Sequence, residues 1–120
     1  EIEEAIQNHP GVAEVAVIGV ADKLKGQVPV GFCRLKDPRQ LEEPGAEARL
    51  EKEVIGKVQE LLGVVAKPSR IHFVNALPRT RSGKLLRRSI QALVEGRDPG
   101  DLSTLDDPNS LEGVRRAIGH

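Results

Sequence analysis

Between Leu77 and Arg88 the chain reads Leu77-Pro78-Arg79-Thr80-Arg81-Ser82-Gly83-Lys84-Leu85-Leu86-Arg87-Arg88, a loop dense in cations with one glycine and two hydroxyls. Such residues do electrostatic chemistry: a lysine or arginine neutralises an oxyanion, and glycine lets the backbone come close to it. The pattern places Lys84 in the first turn of a helix capped by Ser82, where free backbone donors and the helix dipole would add to its charge. The bland reading is a solvated basic surface. In that reading Arg79, Arg81, Arg87 and Arg88 pair with the acidic residues around Glu42 to Glu53 or Asp98 to Asp107.

Other chemistries fit less well. Ser82-Gly83-Lys84 superficially resembles a phosphate-binding P-loop. That motif, however, needs glycine where this chain has Pro78, and Ser or Thr where it has Leu85. His9, His72 and His120 lack ligand spacing, so no metal is expected; His9 reads as a helix-end residue and His72 as a strand residue. The lone Cys33 excludes an internal disulfide and a cysteine-based zinc site, fits a reducing cytoplasm, and reads as a buried structural thiol. Eighteen basic residues balance eighteen acidic ones, and Phe32 and Phe73 are the only aromatics. Neutral charge and scarce stacking material argue against nucleic acid as a partner. No apolar run is long enough to span a bilayer, and Glu1-Ile2-Glu3-Glu4 is the reverse of a signal peptide's basic start, so a soluble protein is expected.

The elements that position this loop follow from periodicity. Glu1 to Gln7 reads as a helix without cap or leader, as if cut from a longer chain, and ends at His9-Pro10-Gly11. Val12 to Val20 is almost wholly apolar and β-branched, the pattern of a strand covered on both faces. Lys25-Gly26-Gln27 closes a polar connection, and Val28 to Leu35 forms a second strand in which Pro29 predicts an edge position or an irregular start. From Ala46 the period becomes helical, with Leu50, Val54, Val58, Leu61 and Leu62 on one face and Gly63 as the stop. A third strand containing Ile71 and Phe73 runs to Leu77-Pro78. Leu86, Ile90, Leu93 and Val94 mark a helix stopped at Gly96. Asp107-Pro108 supplies an N-cap and first-turn proline for a final helix bearing Leu111, Val114 and Ile118. The sum is a small α+β domain: a three-stranded or slightly larger sheet flanked by helices.

Leu77-Pro78-Arg79-Thr80-Arg81-Ser82-Gly83-Lys84 closely resembles the Pro-Lys-Thr-Arg-Ser-Gly-Lys signature of AMP-forming acyl-CoA synthetases of the acetyl- and propionyl-CoA type. Glu1-Ile2-Glu3, His9-Pro10, the Val15 to Val20 strand and Lys25-Gly26-Gln27 match in the same order. The tail from Glu95 to Pro108 resembles the propionate-CoA ligase branch. The resemblance covers essentially the whole chain and implies the mobile C-terminal domain of the adenylate-forming superfamily, with 1–96 as that domain and 97–120 as an extension packed on it.

What the resemblance implies is a two-step ligase. A short-chain carboxylate attacks the α-phosphate of ATP, with Mg2+, to give acyl-AMP and pyrophosphate; CoA then displaces AMP. The small domain swivels between the steps. Lys84 is implied as the adenylation lysine, Arg79, Thr80, Arg81, Ser82 and Gly83 as its ATP-side loop, and Lys25, Gly26 and Gln27 as a CoA-side loop. ATP, AMP and CoA are implied to bind mainly through an N-terminal adenylate-binding domain of the same polypeptide, so the fragment alone should be inactive. The hinge and the glycine loop of the CoA tunnel would precede Glu1. Arg79 stands where the family often has lysine, and Gln59 where acetyl-CoA synthetases carry a CoA-contacting arginine. Lys84 also resembles the lysine on which these enzymes are reversibly acylated, which implies an acyltransferase and a deacylase as partners.

Overall fold

The apolar run that begins at Val12 forms one edge of a sheet whose two faces are both covered. The computed structural model describes residues 1–119. In chain order the elements are α1 (Ile2–Gln7), β1 (Val12–Asp22), β2 (Gly26–Leu35), α2 (Ala46–Leu62), β3 (Arg70–Phe73), α3 (Arg87–Val94) and α4 (Pro108–Ile118). Short 3-10 turns lie at Pro38–Leu41 and Val64–Ala66. Among the described residues this is the α+β order read from the sequence. The sheet runs β1-β2-β3, with β1 and β2 antiparallel and β2 and β3 parallel.

Side-chain alternation along the strands divides the core in two. Val15, Cys33, Leu35, Ile71 and Phe73 face α1 and α2, where they meet Ile6, Leu50, Val54 and Val58. Ala16, Ile18, Val30 and Phe32 face the other way, onto Ile90 and Leu93 of α3 and Leu111 and Val114 of α4. Burying each Val, Ile or Leu contributes about 1.5–3 kcal/mol. Gly31 in β2 is the point of closest approach: a Cβ there would lie 2.6 Å from Ile71 Cδ1 and 3.5 Å from Ile6 Cδ1.

The structure refines several expectations. Over Gly26–Pro29 β2 has β1 alone beside it, and β3 joins only at Val30. The proline therefore sits on the edge-like start of the strand, while its carbonyl accepts from Ser69 N at 2.9 Å. The third strand stops at Phe73 rather than running to Leu77-Pro78. After Val74 N donates to Cys33 O at 2.9 Å, Val74 and Leu77 join the α3/α4 core and draw the chain off the sheet. On α2, Leu62 rather than Leu61 packs against the core; Leu61 is 48% exposed. Leu62 continues the Leu50, Val54, Val58 row at four-residue spacing.

The edge of β1 is blunted by carboxylates. Val17 N donates to Glu3 Oε2 at 2.8 Å and Ala21 N to Glu95 Oε2 at 3.0 Å, so two edge donors are satisfied within the domain rather than offered to another strand. Asp107 caps α4 through Asn109 N at 2.9 Å with Pro108 in the first turn, as its sequence indicates.

Candidate functional site

The basic loop is a hairpin. Arg79 pairs with Leu85 across an isolated antiparallel bridge. Inside it Thr80 N donates to Lys84 O at 2.8 Å, and Gly83 N donates to Thr80 O at 2.8 Å. The Thr80 hydroxyl adds a third clasp by accepting from Lys84 N at 3.0 Å, and lies 3.0 Å from Ser82 Oγ. Gly83 takes φ +92°, in the left-handed region, with open space where a Cβ would stand. Within the domain its requirement is one of backbone conformation, since no neighbouring atom crowds the position.

This geometry corrects the expected helix. Lys84 is not in the first turn of a helix and Ser82 is not an N-cap: α3 starts at Arg87, after Leu86, which makes no side-chain cap. The Arg79–Leu85 pairing keeps the chain extended past Lys84, so the dipole acts on the residues that follow rather than on the ammonium. Lys84 is exposed at the hairpin tip.

The arginines divide into roles that composition left open. Arg79 Nη2 donates to Glu14 Oε2 at 3.1 Å, and its Nη1 donates to Gly83 O at 3.0 Å. Arg87 Nη2 donates to Glu3 Oε1 at 2.9 Å. These partners lie on β1 and α1, not in Glu42 to Glu53 or Asp98 to Asp107. Among the described residues Arg81, Lys84 and Arg88 have no ion-pair partner. Glu14 also accepts from Arg34 Nε at 3.0 Å. Burial pushes the Glu14 carboxyl up, but the hydrogen bonds and charges of Arg34 and Arg79 outweigh that and hold it below the ordinary carboxylate range. A polar cavity of about 400 Å³ lies against Glu14, Arg34, Arg79 and Asp106.

The tail closes the other side of the hairpin. Thr80 bridges Leu105, Asp106 N donates to Arg79 O at 2.9 Å, and Arg81 N donates to Thr104 O at 3.1 Å. Neither Glu14 nor this tail segment stood out as site residues in the sequence. The available signal was Glu14 itself, the one charge within Val12–Val20.

Lys25, Gly26 and Gln27 lie elsewhere, at the β1–β2 turn. Asp22 Oδ1 accepts from Leu24 N at 2.8 Å and Lys25 N at 3.0 Å, and Gly26 takes φ +82°. Lys25 and Gln27 border an open groove of about 780 Å³ whose other wall is Val64, Val65 and Lys67. From Glu14 to Asp22 an extended strand covers roughly 26 Å, so the Lys84 hairpin and this turn occupy opposite ends of the sheet. Gln59 is exposed on α2.

Cys33 is fully buried and desolvation pushes its thiol up to about 12, so it is no nucleophile. His9 accepts from Gly11 N at 3.0 Å through Nδ1 and meets Glu53 Oε1 at 3.0 Å through Nε2. His72 stacks on Phe32 with ring centroids 5.0 Å apart. His120 lies outside the described residues. No group of three or more His, Cys, Asp or Glu capable of holding a metal occurs among the described residues, and no helix there is long and apolar enough to cross a membrane.

Fold and hairpin together define a small α+β domain that presents a lysine from a braced loop. The AMP-binding enzyme C-terminal domain family matches residues 1–84, and the chain belongs to that family. It is 53% identical over 118 residues to the propionate–CoA ligase of Escherichia coli, covering 98% of this chain and 19% of the relative. It is 45% identical over 117 residues to the acetyl-coenzyme A synthetase of Pyrobaculum aerophilum, covering 98% and 17%. A solved acyl-CoA synthetase of Brucella canis superposes with a TM-score of 0.60 at 36% identity, over 70% of this chain and 15% of that one. The chain thus spans about a fifth of the length of the curated relatives it matches.

Proposed function

We propose that this chain is the C-terminal swivelling domain of a cytoplasmic AMP-forming ligase for a short-chain carboxylate, propionate in the first instance, and that Lys84 serves its adenylation step. In this reading residues 1–96 are the working domain and 97–120 its extension. The observation that carries the proposal is the exposed Lys84 ammonium, without an ion-pair partner among the described residues, at the tip of a hairpin whose main chain is held from three sides. A carboxylate oxygen attacks the α-phosphorus of ATP, which arrives with Mg2+. The bond to pyrophosphate breaks, and the ammonium neutralises charge on the carboxylate and the α-phosphate oxygens without transferring a proton.

CoA thiol then attacks the acyl carbon and AMP leaves. Because the Lys84 hairpin and the Lys25-Gly26-Gln27 turn sit at opposite ends of the sheet, one docking cannot bring both to the same reacting centre. Reorientation against the adenylate-binding domain, with the Lys25 turn on the CoA side, meets that constraint. The exposure of Lys84 also favours a regulatory reading of the same residue: acylation by an acyltransferase would remove its charge, and a deacylase would restore it.

The test uses the complete polypeptide carrying this domain. Lys84→Ala should reduce carboxylate-dependent ATP/pyrophosphate exchange by about 10²- to 10³-fold or more, the loss typical of a preorganised charge donor. Conversion of preformed acyl-adenylate and CoA to thioester should persist. Undiminished exchange would refute the role of Lys84.

A further inference from the structure

We infer that Glu14 is a positioning residue for Lys84, acting through Arg79; the inference rests on the adenylation reading above. Glu14 is the single charge in an otherwise apolar strand segment. It follows an irregularity in the β1 register between Val12 and Glu14, the kind of bulge that re-aims a side chain. Arg34, its cross-strand partner, holds Oε1 at 3.0 Å, so the carboxylate is oriented within the sheet before Arg79 reaches it. Oε2 then accepts from Arg79 Nη2 at 3.1 Å.

Arg79 has its own main chain fixed by Leu85 on one side and Asp106 on the other. Its second guanidinium nitrogen donates to the carbonyl of Gly83 at 3.0 Å, the residue before Lys84. The result is a brace from a sheet strand, through carboxylate and guanidinium, to the peptide that carries the lysine. An isolated surface ion pair contributes little, but here one end of the fork holds loop backbone. Arginine is suited to this task because its two nitrogens reach two acceptors at once, whereas a lysine ammonium is a point donor. Releasing the Gly83 carbonyl leaves the Gly83–Lys84 peptide tethered only through Lys84 N to the Thr80 hydroxyl, and misplacement of a reacting group by about 1 Å can cost 10²-fold in rate.

Glu14→Gln and Arg79→Gln in the complete polypeptide test the brace. Each should lower kcat for carboxylate-dependent ATP/pyrophosphate exchange by about 10- to 100-fold with KM for ATP and carboxylate unchanged. Thioester formation from preformed acyl-adenylate should be unaffected, and the double variant should be no worse than Arg79→Gln alone. In the 120-residue chain, hydrogen exchange at the Gly83 and Lys84 amides should quicken in Glu14→Gln while core amides stay protected. Equal loss in both half-reactions, unchanged exchange kcat or additive single effects would overturn the proposal. Lys84→Ala run alongside separates the failures. If it abolishes exchange while Glu14→Gln does nothing, only the brace falls; if it leaves exchange intact, the adenylation reading falls and takes the brace with it.

Discussion

Thr80 and Lys84 close the hairpin on each other: Thr80 N donates to Lys84 O at 2.8 Å, and Lys84 N donates back to Thr80 Oγ1 at 3.0 Å. Thr80→Val keeps the shape and the backbone bond but removes the hydroxyl acceptor. The expected cost is about 0.5–1.5 kcal/mol in urea unfolding of the chain, the ordinary net value of one hydrogen bond. Thr80→Ser should recover most of it, and recovery with serine but not valine identifies the hydroxyl as the cause.

Gly83 and Gly56 form a contrasting pair, since neither has a heavy atom within 4 Å of an added Cβ. Gly83 takes φ +92°, so Gly83→Ala should destabilise by about 1–2 kcal/mol through backbone strain alone. Gly56 lies inside α2 without positive φ, so Gly56→Ala should stabilise by about 0.5–1 kcal/mol. Opposite shifts in urea midpoint at unchanged m-value are the expected result.

His72 supplies a pH dependence with a defined sign. Burial, aided by Arg70, pushes its imidazole below the usual value against a smaller opposing effect of Glu51. Between the folded value and the unfolded value of about 6.5 the unfolded chain binds more protons, so stability rises with pH there. The contribution is complete above about pH 6.5 and lost as pH falls through the folded value. His72→Phe, which retains a ring against Phe32, should flatten that limb in thermal or urea unfolding between pH 5 and 8.

Cys33 should be silent in the native protein. Its burial in the sheet and its thiol raised to about 12 leave almost no thiolate at neutral pH. A disulfide exchange reagent should label it only as fast as the domain opens, and at full rate in denaturant. Rapid native labelling would contradict its placement between β1, β3 and α2.

Much of the fold was legible because it rests on local rules. The period change at Ala46, the Asp107-Pro108 start of α4 and the apolar β1 run each depend on neighbours within a turn or a strand, so they appear in order along the chain. Lys84 stood out as a candidate for a related reason: a lysine, a glycine and hydroxyls concentrated in one segment are a chemical signal whatever their conformation. The same local reasoning misplaced Lys84 in a helix and Ser82 at its cap. Thr80 satisfies the Lys84 backbone first, and Leu85 is drawn onto Arg79 before the helix can begin.

What the sequence determined by itself was the element order, the two-faced sheet and the identity of the exposed lysine. Tertiary structure alone decided what holds that lysine in place. Glu14 and Arg79 are 65 residues apart, and the Thr104–Asp106 tail reaches the hairpin through main-chain bonds that involve no side-chain pattern. Contacts of that kind carry no period and no spacing rule. They exist only once the strands have set the register that brings Glu14 to the end of the sheet where Lys84 is presented.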